Sequence, residues 1–173
     1  MIALFSIMHT GTLFTKELLC DYKFFVVGQE IPLDRVDNPA IFEHITEGAI
    51  NGIEKLVRLH KTVVPLRHPC RVRESWARRY KNIDRLSDLD KVWKILIDRI
   101  DSDEIVYISI DSENRNEMLL AASLSLGLEL KTDWSICHSV ADTSAIDITD
   151  EMIAKEPKWI MDFYLGKINA NKH

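Results

Sequence analysis

The chain is short of the residues that staple, link or span: three cysteines, five prolines, six glycines and no long apolar run among 173 residues. Cys20, Cys70 and Cys137 are far apart, odd in number and without CxxC spacing, which argues against a disulfide framework and a zinc site. Unpaired thiols are expected, with Cys20 in the core. No stretch approaches the roughly 18 apolar residues of a membrane span, and no basic region precedes the short apolar N-terminus. The expectation is a soluble, cytoplasmic protein with no membrane partner. Positive charge is also scarce, 22 Lys and Arg against 27 Asp and Glu for a net −5, so a general nucleic-acid coat or polybasic binder is excluded. Any anion must be held by a local patch. With no repeat, low-complexity tract or Gly/Ser/Pro linker, residues 1–173 are expected to form a single domain, long enough to bury about 70% of the unfolded surface.

What is present is strand and helix in alternation. Residues 1 to 7 (MIALFSI) are too brief for a helix and predict a strand, followed by the turn-prone Met8-His9-Thr10-Gly11-Thr12 and a helical LFTKELL. KFFVVG at 23 to 28 predicts a second strand, and AIFEHI at 40 to 45 either a third strand or a helix start. Residues 48 to 60 have amphipathic spacing, TVVPLR at 62 to 67 predicts a strand despite its internal proline, and Pro69 suits the first turn of a helix with Val72, Trp76 and Tyr80 inward. A helix over Leu89, Val92, Trp93, Leu96, Ile97 and Ile100 is expected with Ser87 as its cap. EIVYISI at 104 to 110 is a strand ended by Asp111, and 115 to 126 a helix stopped by Gly127. A last helix starts near Thr149 and bends or breaks at Pro157, with Trp159, Ile160 and Phe163 packing back. Strands separated by helices cannot be hairpins, so an α/β fold with a mostly parallel sheet covered on both faces follows. Such sheets bind ligands at the carboxyl ends of their strands.

Two of those ends carry chemistry. His9-Thr10-Gly11-Thr12 opens onto a helix, where backbone N–H groups freed by a glycine cradle phosphate. Taken alone this is equally a tight turn, because GxxxxGK[ST] is absent and Lys16 stands five residues past Gly11. The second end begins at Arg67-His68-Pro69 and runs to Arg85 with seven Lys or Arg and two acids, Glu74 and Asp84. A solvated helix face accounts equally well for Arg73, Arg78, Arg79 and Lys81, whereas Arg67, at a strand's carboxyl end, is placed to grip phosphate bidentately.

In this order the motifs resemble the sulfotransferase family. Arg67-x-Pro69-x5-Ser75 is similar to its 3′-phosphate motif, and His9-Thr10-Gly11-Thr12-Leu13-Phe14 to its 5′-phosphosulfate loop, usually Lys-Ser-Gly-Thr-Thr-Trp. Residues 106 to 130 are similar to its strand, acidic residue, helix and Leu-Gly, so the likeness covers roughly residues 1 to 130. The resemblance implies a three-layer α/β/α fold of P-loop nucleotide-binding type, with 3′-phosphoadenosine 5′-phosphosulfate as donor and a hydroxyl or amine of a small molecule or carbohydrate as acceptor. It implies the 5′-phosphosulfate on Thr10, Gly11, Thr12 and Leu13, the 3′-phosphate on Arg67 and Ser75, and Phe14 where the family stacks adenine, although an aromatic there commonly serves the core. His44 falls at the position of the family's base, with Glu43, Glu47 and His60 as fallbacks, and its ordinary pKa suits the task. His9 replaces the loop lysine as the group that stabilises the leaving bisphosphate. Ile110 replaces an adenine-side tyrosine, and no arginine follows Arg115. No metal is required. Segments 29 to 43 and 132 to 150 are expected to wall the acceptor pocket. The alternatives are a P-loop nucleotide or small-molecule kinase, disfavoured without Gly-Lys-Ser/Thr, and a non-catalytic binding module of the same fold.

Overall fold

A computed structural model of the protein describes residues 1–6, 10–27, 47–80, 86–111, 114–130 and 146–170. Four strands, β1 (Ile2–Phe5), β2 (Phe24–Val27), β3 (Lys61–Leu66) and β4 (Ile105–Ser109), form a parallel sheet in the order β2-β1-β3-β4. Between and after them run α1 (Thr12–Leu18), α2 (Glu47–Leu59), α3 (Pro69–Tyr80), α4 (Leu86–Ile95), α5 (Arg115–Leu126), α6 (Asp150–Lys155) and α7 (Lys158–Ala170). The fold is therefore mixed α/β with a parallel sheet. Among the described residues no helix is long and apolar enough to cross a membrane.

β1, β3 and β4 are nearly continuous apolar runs because both of their faces are buried. Their alternating side chains divide between two core clusters. Leu4, Val63, Val106 and Ile108 join Phe14 and Leu18 of α1 and Leu119 and Ala122 of α5. Phe5, Val64, Leu66 and Tyr107 join residues of α2, α3, α4 and α7, with the fully buried Trp76 and Trp93 as the largest members.

Pro65 is accommodated inside β3 for a reason the register supplies. The Leu66 carbonyl accepts from Ile110 N–H at 3.0 Å, so Leu66 turns its backbone groups toward β4 and Pro65 turns toward the β1 side. β1 has already left by then, since its pairing with β3 ends at Leu4↔Val63. The missing N–H falls where no ladder bond is needed. The same departure parts β1 from β3 at their carboxyl ends, where the strand order reverses.

Helix boundaries follow local chemistry. Gly127 ends α5 in the left-handed region at φ 64°, and Thr149 Oγ1 caps α6 by accepting from Met152 N–H at 3.3 Å. Glu156, held extended at φ −80° and ψ 141° by the proline that follows, separates α6 from α7. Three expectations are corrected. Cys20 is exposed, because Leu18 and Leu19 are the residues that turn inward at the end of α1. Ser87 lies inside the first turn of α4, which begins at Leu86, and the last five residues of the expected helix, Leu96–Ile100, widen into a π-helical turn. Trp159 is 42% exposed, because the inward stripe of α7 is Ile160, Met161, Tyr164 and Ile168; Ile160 and Phe163 do pack back. The segment 40 to 45 and Cys137 lie outside the described residues.

Candidate functional site

The carboxyl end of β1 leads to Thr10, which is fully buried, and then to Gly11. Gly11 has φ 103° and ψ 36° and precedes α1. A Cβ at this position would stand 2.5 Å from Ile110 Cγ2 and 2.8 Å from its Cδ1, so both the backbone angle and the contact require glycine. The loop is tied down further by Thr15, whose N–H and Oγ1 both donate to the Gly11 carbonyl at 3.0 Å. Thr12 and Leu13 form the first turn of α1. Ile110, the residue that fills the space beside Gly11, directly follows β4, so Gly11 packs against the carboxyl end of β4.

The end of β3 supplies Arg67, His68 and Pro69, the last opening α3. Arg67 and Arg71 are 5% and 6% exposed, and Asp111, at the end of β4, is 1% exposed. Asp111 Oδ1 accepts from Arg71 Nη1 at 2.7 Å, while its Oδ2 accepts from His68 N–H at 2.5 Å and from the Tyr164 hydroxyl at 3.3 Å. His68 Nδ1 accepts from Cys70 N–H at 3.3 Å, and its ring stands edge-on to Tyr164 at 5.0 Å. Burial lowers the Arg67 pKa from its ordinary value, the Asp111 charge opposes that, and the Arg71 charge reinforces it. An arginine stays protonated through such a shift. Asp111 thus pairs with the Arg71 guanidinium and its charge acts on that of Arg67, and the two buried guanidiniums at the carboxyl edge of the sheet form a donor set whose charge and fork geometry match a phosphate or sulfate ester.

Of the residues expected from sequence, Thr10, Gly11 and Arg67 lie at the ends of adjacent strands. Ser75 is on α3, half-buried, roughly 9 Å along the helix axis from Pro69. Phe14 is 0% exposed and belongs to the core cluster of α1 and α5, with the Arg115 guanidinium 5.6 Å from its ring centroid. His9, His44 and Glu43 lie outside the described residues. His60 precedes β3 at its amino end, so the six residues of that strand, roughly 20 Å, separate it from Arg67; as a fallback base it is withdrawn. Arg73 is neither a site residue nor a solvated charge. Its Nε donates to Glu156 at 2.6 Å and its Nη2 to Asp90 at 2.8 Å, clamping α3 to α4 and to the α6–α7 junction. Arg78 is exposed.

Arg71, Asp111, Tyr164 and Arg115 were not singled out by sequence. The first had a readable signal, standing four residues after Arg67 on the helix that follows. Asp111 marked the end of a strand and the acidic residue of the resemblance, with no role attached, and nothing local announces Tyr164. Among the described residues no group of three or more His, Cys, Asp or Glu is placed to hold a metal ion. In comparisons with protein-family models, with curated proteins and with solved structures, nothing matches the chain.

Proposed function

We propose that this chain is a sulfotransferase-type enzyme of three-layer, P-loop-related α/β architecture that takes 3′-phosphoadenosine 5′-phosphosulfate as donor and a hydroxyl or amine as acceptor. One observation carries the reading: Arg67 after β3, followed by Arg71 on α3 in its pair with Asp111, and Gly11 after β1 lie at the carboxyl ends of two adjacent strands, where the strand order reverses and the two strands part. That crevice is where open parallel sheets take their ligands. The donor set fits the nucleotide's phosphates, which need cations that remain charged when desolvated. The nucleotide supplies the sulfuryl group.

Arg67 holds the 3′-phosphate, with Ser75 beside it and Arg71 adding positive potential from the same helix. The backbone of residues 10 to 13 faces the 5′ end, and His9 donates toward the leaving bisphosphate. His44 takes the acceptor's proton as its oxygen or nitrogen attacks sulfur. The roles of His9, His44 and Ser75 come from sequence.

The test is transfer of labelled sulfate from the donor nucleotide to a panel of hydroxyl and amine acceptors. Turnover that His44→Ala abolishes while nucleotide binding persists is the expected result. Nucleotide binding without transfer to any acceptor would leave a non-catalytic module, and full turnover in His44→Ala would remove His44 as base.

A further inference from the structure

We propose that Arg115 supplies the plane on which the base of the bound nucleotide stacks, a role that rests on the nucleotide-binding reading above. The aromatic residue nearest the phosphate loop, Phe14, is enclosed in the core at 0% exposure, so its ring serves packing. What covers it is Arg115, half-buried, its guanidinium carbon 5.6 Å from the ring centroid and within the range of a cation–π contact. The orientation of that plane is set at the other edge. Arg115 Nε donates to the Ile110 carbonyl at 3.2 Å and Nη2 donates to the same oxygen. Two bonds to one carbonyl and an aromatic floor hold a long, flexible side chain in a single pose.

The pose is not one that helix stability asks for. Arg115 opens α5, where the helix dipole favours acidic residues and disfavours a cation. The location is apt for a ligand: the carbonyl that anchors Arg115 belongs to Ile110, whose side chain fills the space beside Gly11. The Arg115 plane therefore adjoins the phosphate loop on the β4 side, with Arg67 and Arg71 after β3 between β1 and β4. A guanidinium is planar, delocalised and weakly hydrated, and it stacks on nucleobases as it does on aromatic rings. A cation–π stack of this kind changes affinity by roughly twofold when exposed to about thirtyfold when desolvated.

The experiment is calorimetric titration with adenosine 3′,5′-bisphosphate and with ribose 3,5-bisphosphate, which has the same phosphates and no base. In the unmodified protein the adenosine compound is expected to bind about tenfold more tightly. Arg115→Lys, which retains the charge and loses the plane, is expected to erase that advantage and leave the ribose compound's affinity in place. Arg115→Met, which keeps the apolar stem over Phe14, gives the same reading should the lysine variant melt early. An advantage that survives both substitutions overturns the inference and leaves the nucleotide reading standing. Equal weakening of both ligands makes Arg115 a phosphate contact and also overturns it. If the unmodified protein binds neither compound, the nucleotide reading fails and the inference falls with it.

Discussion

Replacing Asp111 with asparagine removes one charge while nearly preserving shape. The carboxylate, 1% exposed, accepts from Arg71 at 2.7 Å, from His68 N–H at 2.5 Å and from Tyr164 at 3.3 Å. Asparagine offers one oxygen to these three donors and turns an NH2 group toward those it does not serve. Arg67 and Arg71 also lose the Asp111 charge that offsets their mutual repulsion in a buried setting. Breaking a buried pair and leaving its partner in place costs about 3–5 kcal/mol, a large share of the roughly 5–15 kcal/mol that holds a domain together. Urea unfolding read by tryptophan fluorescence measures it well, since Trp76 and Trp93 are each 1% exposed. The melting temperature is expected to fall by about 6–20 °C. Phosphate is then added to both proteins. Because Asp111→Asn leaves the arginine pair without its internal counter-charge, the variant is expected to gain more stability from phosphate than the parent. A loss below about 1 kcal/mol would refute the buried-pair argument, and equal phosphate stabilisation of both proteins would refute the anion-site argument.

Gly11→Ala is expected to destabilise by about 2–4 kcal/mol, because alanine must adopt φ 103° and overlap the buried Ile110 side chain; thermal melting within about 0.5 kcal/mol of the parent would show that the loop yields. Cys70 makes a pH prediction. Burial, then the Glu156 charge, pushes its thiol up to about 11 from an ordinary 9.0. The folded state therefore holds that proton more tightly than the unfolded state does. The contribution of Cys70 to stability is expected to be complete below pH 9 and to be lost from there to about pH 11, by about 2–3 kcal/mol at most. Cys70→Ala should flatten this part of the curve in denaturant titrations at pH 8 to 11, and an unchanged slope would contradict it. In a Cys137→Ser background at neutral pH, a thiol reagent should modify the exposed Cys20 rapidly and Cys70 only on unfolding.

The elements legible in the sequence were those set by neighbours along the chain. β4 and α5 are written in EIVYISI and in a helical run that ends on Gly127, and Pro157 announces the break between α6 and α7. The site was legible only in part. Arg67 and Gly11 each follow a readable strand, but that those two strands are neighbours depends on the strand order, which no local pattern encodes. Asp111 meets Arg71 across 40 residues and Tyr164 across 53, so their cluster belongs to tertiary structure alone. Phe14 illustrates the opposite limit: its place after the loop suggested a stacking role, and the packing of α1 turned its ring into the core.

The most direct measurement is a calorimetric comparison of adenosine 3′,5′-bisphosphate, without added metal, against ATP with Mg²⁺, on the parent and on Arg67→Ala with folding checked by circular dichroism. A site built on Arg67 and the Gly11 loop for a 3′-phosphorylated nucleotide binds the bisphosphate preferentially and loses it in Arg67→Ala. Magnesium-dependent ATP binding that Arg67→Ala leaves intact would contradict it.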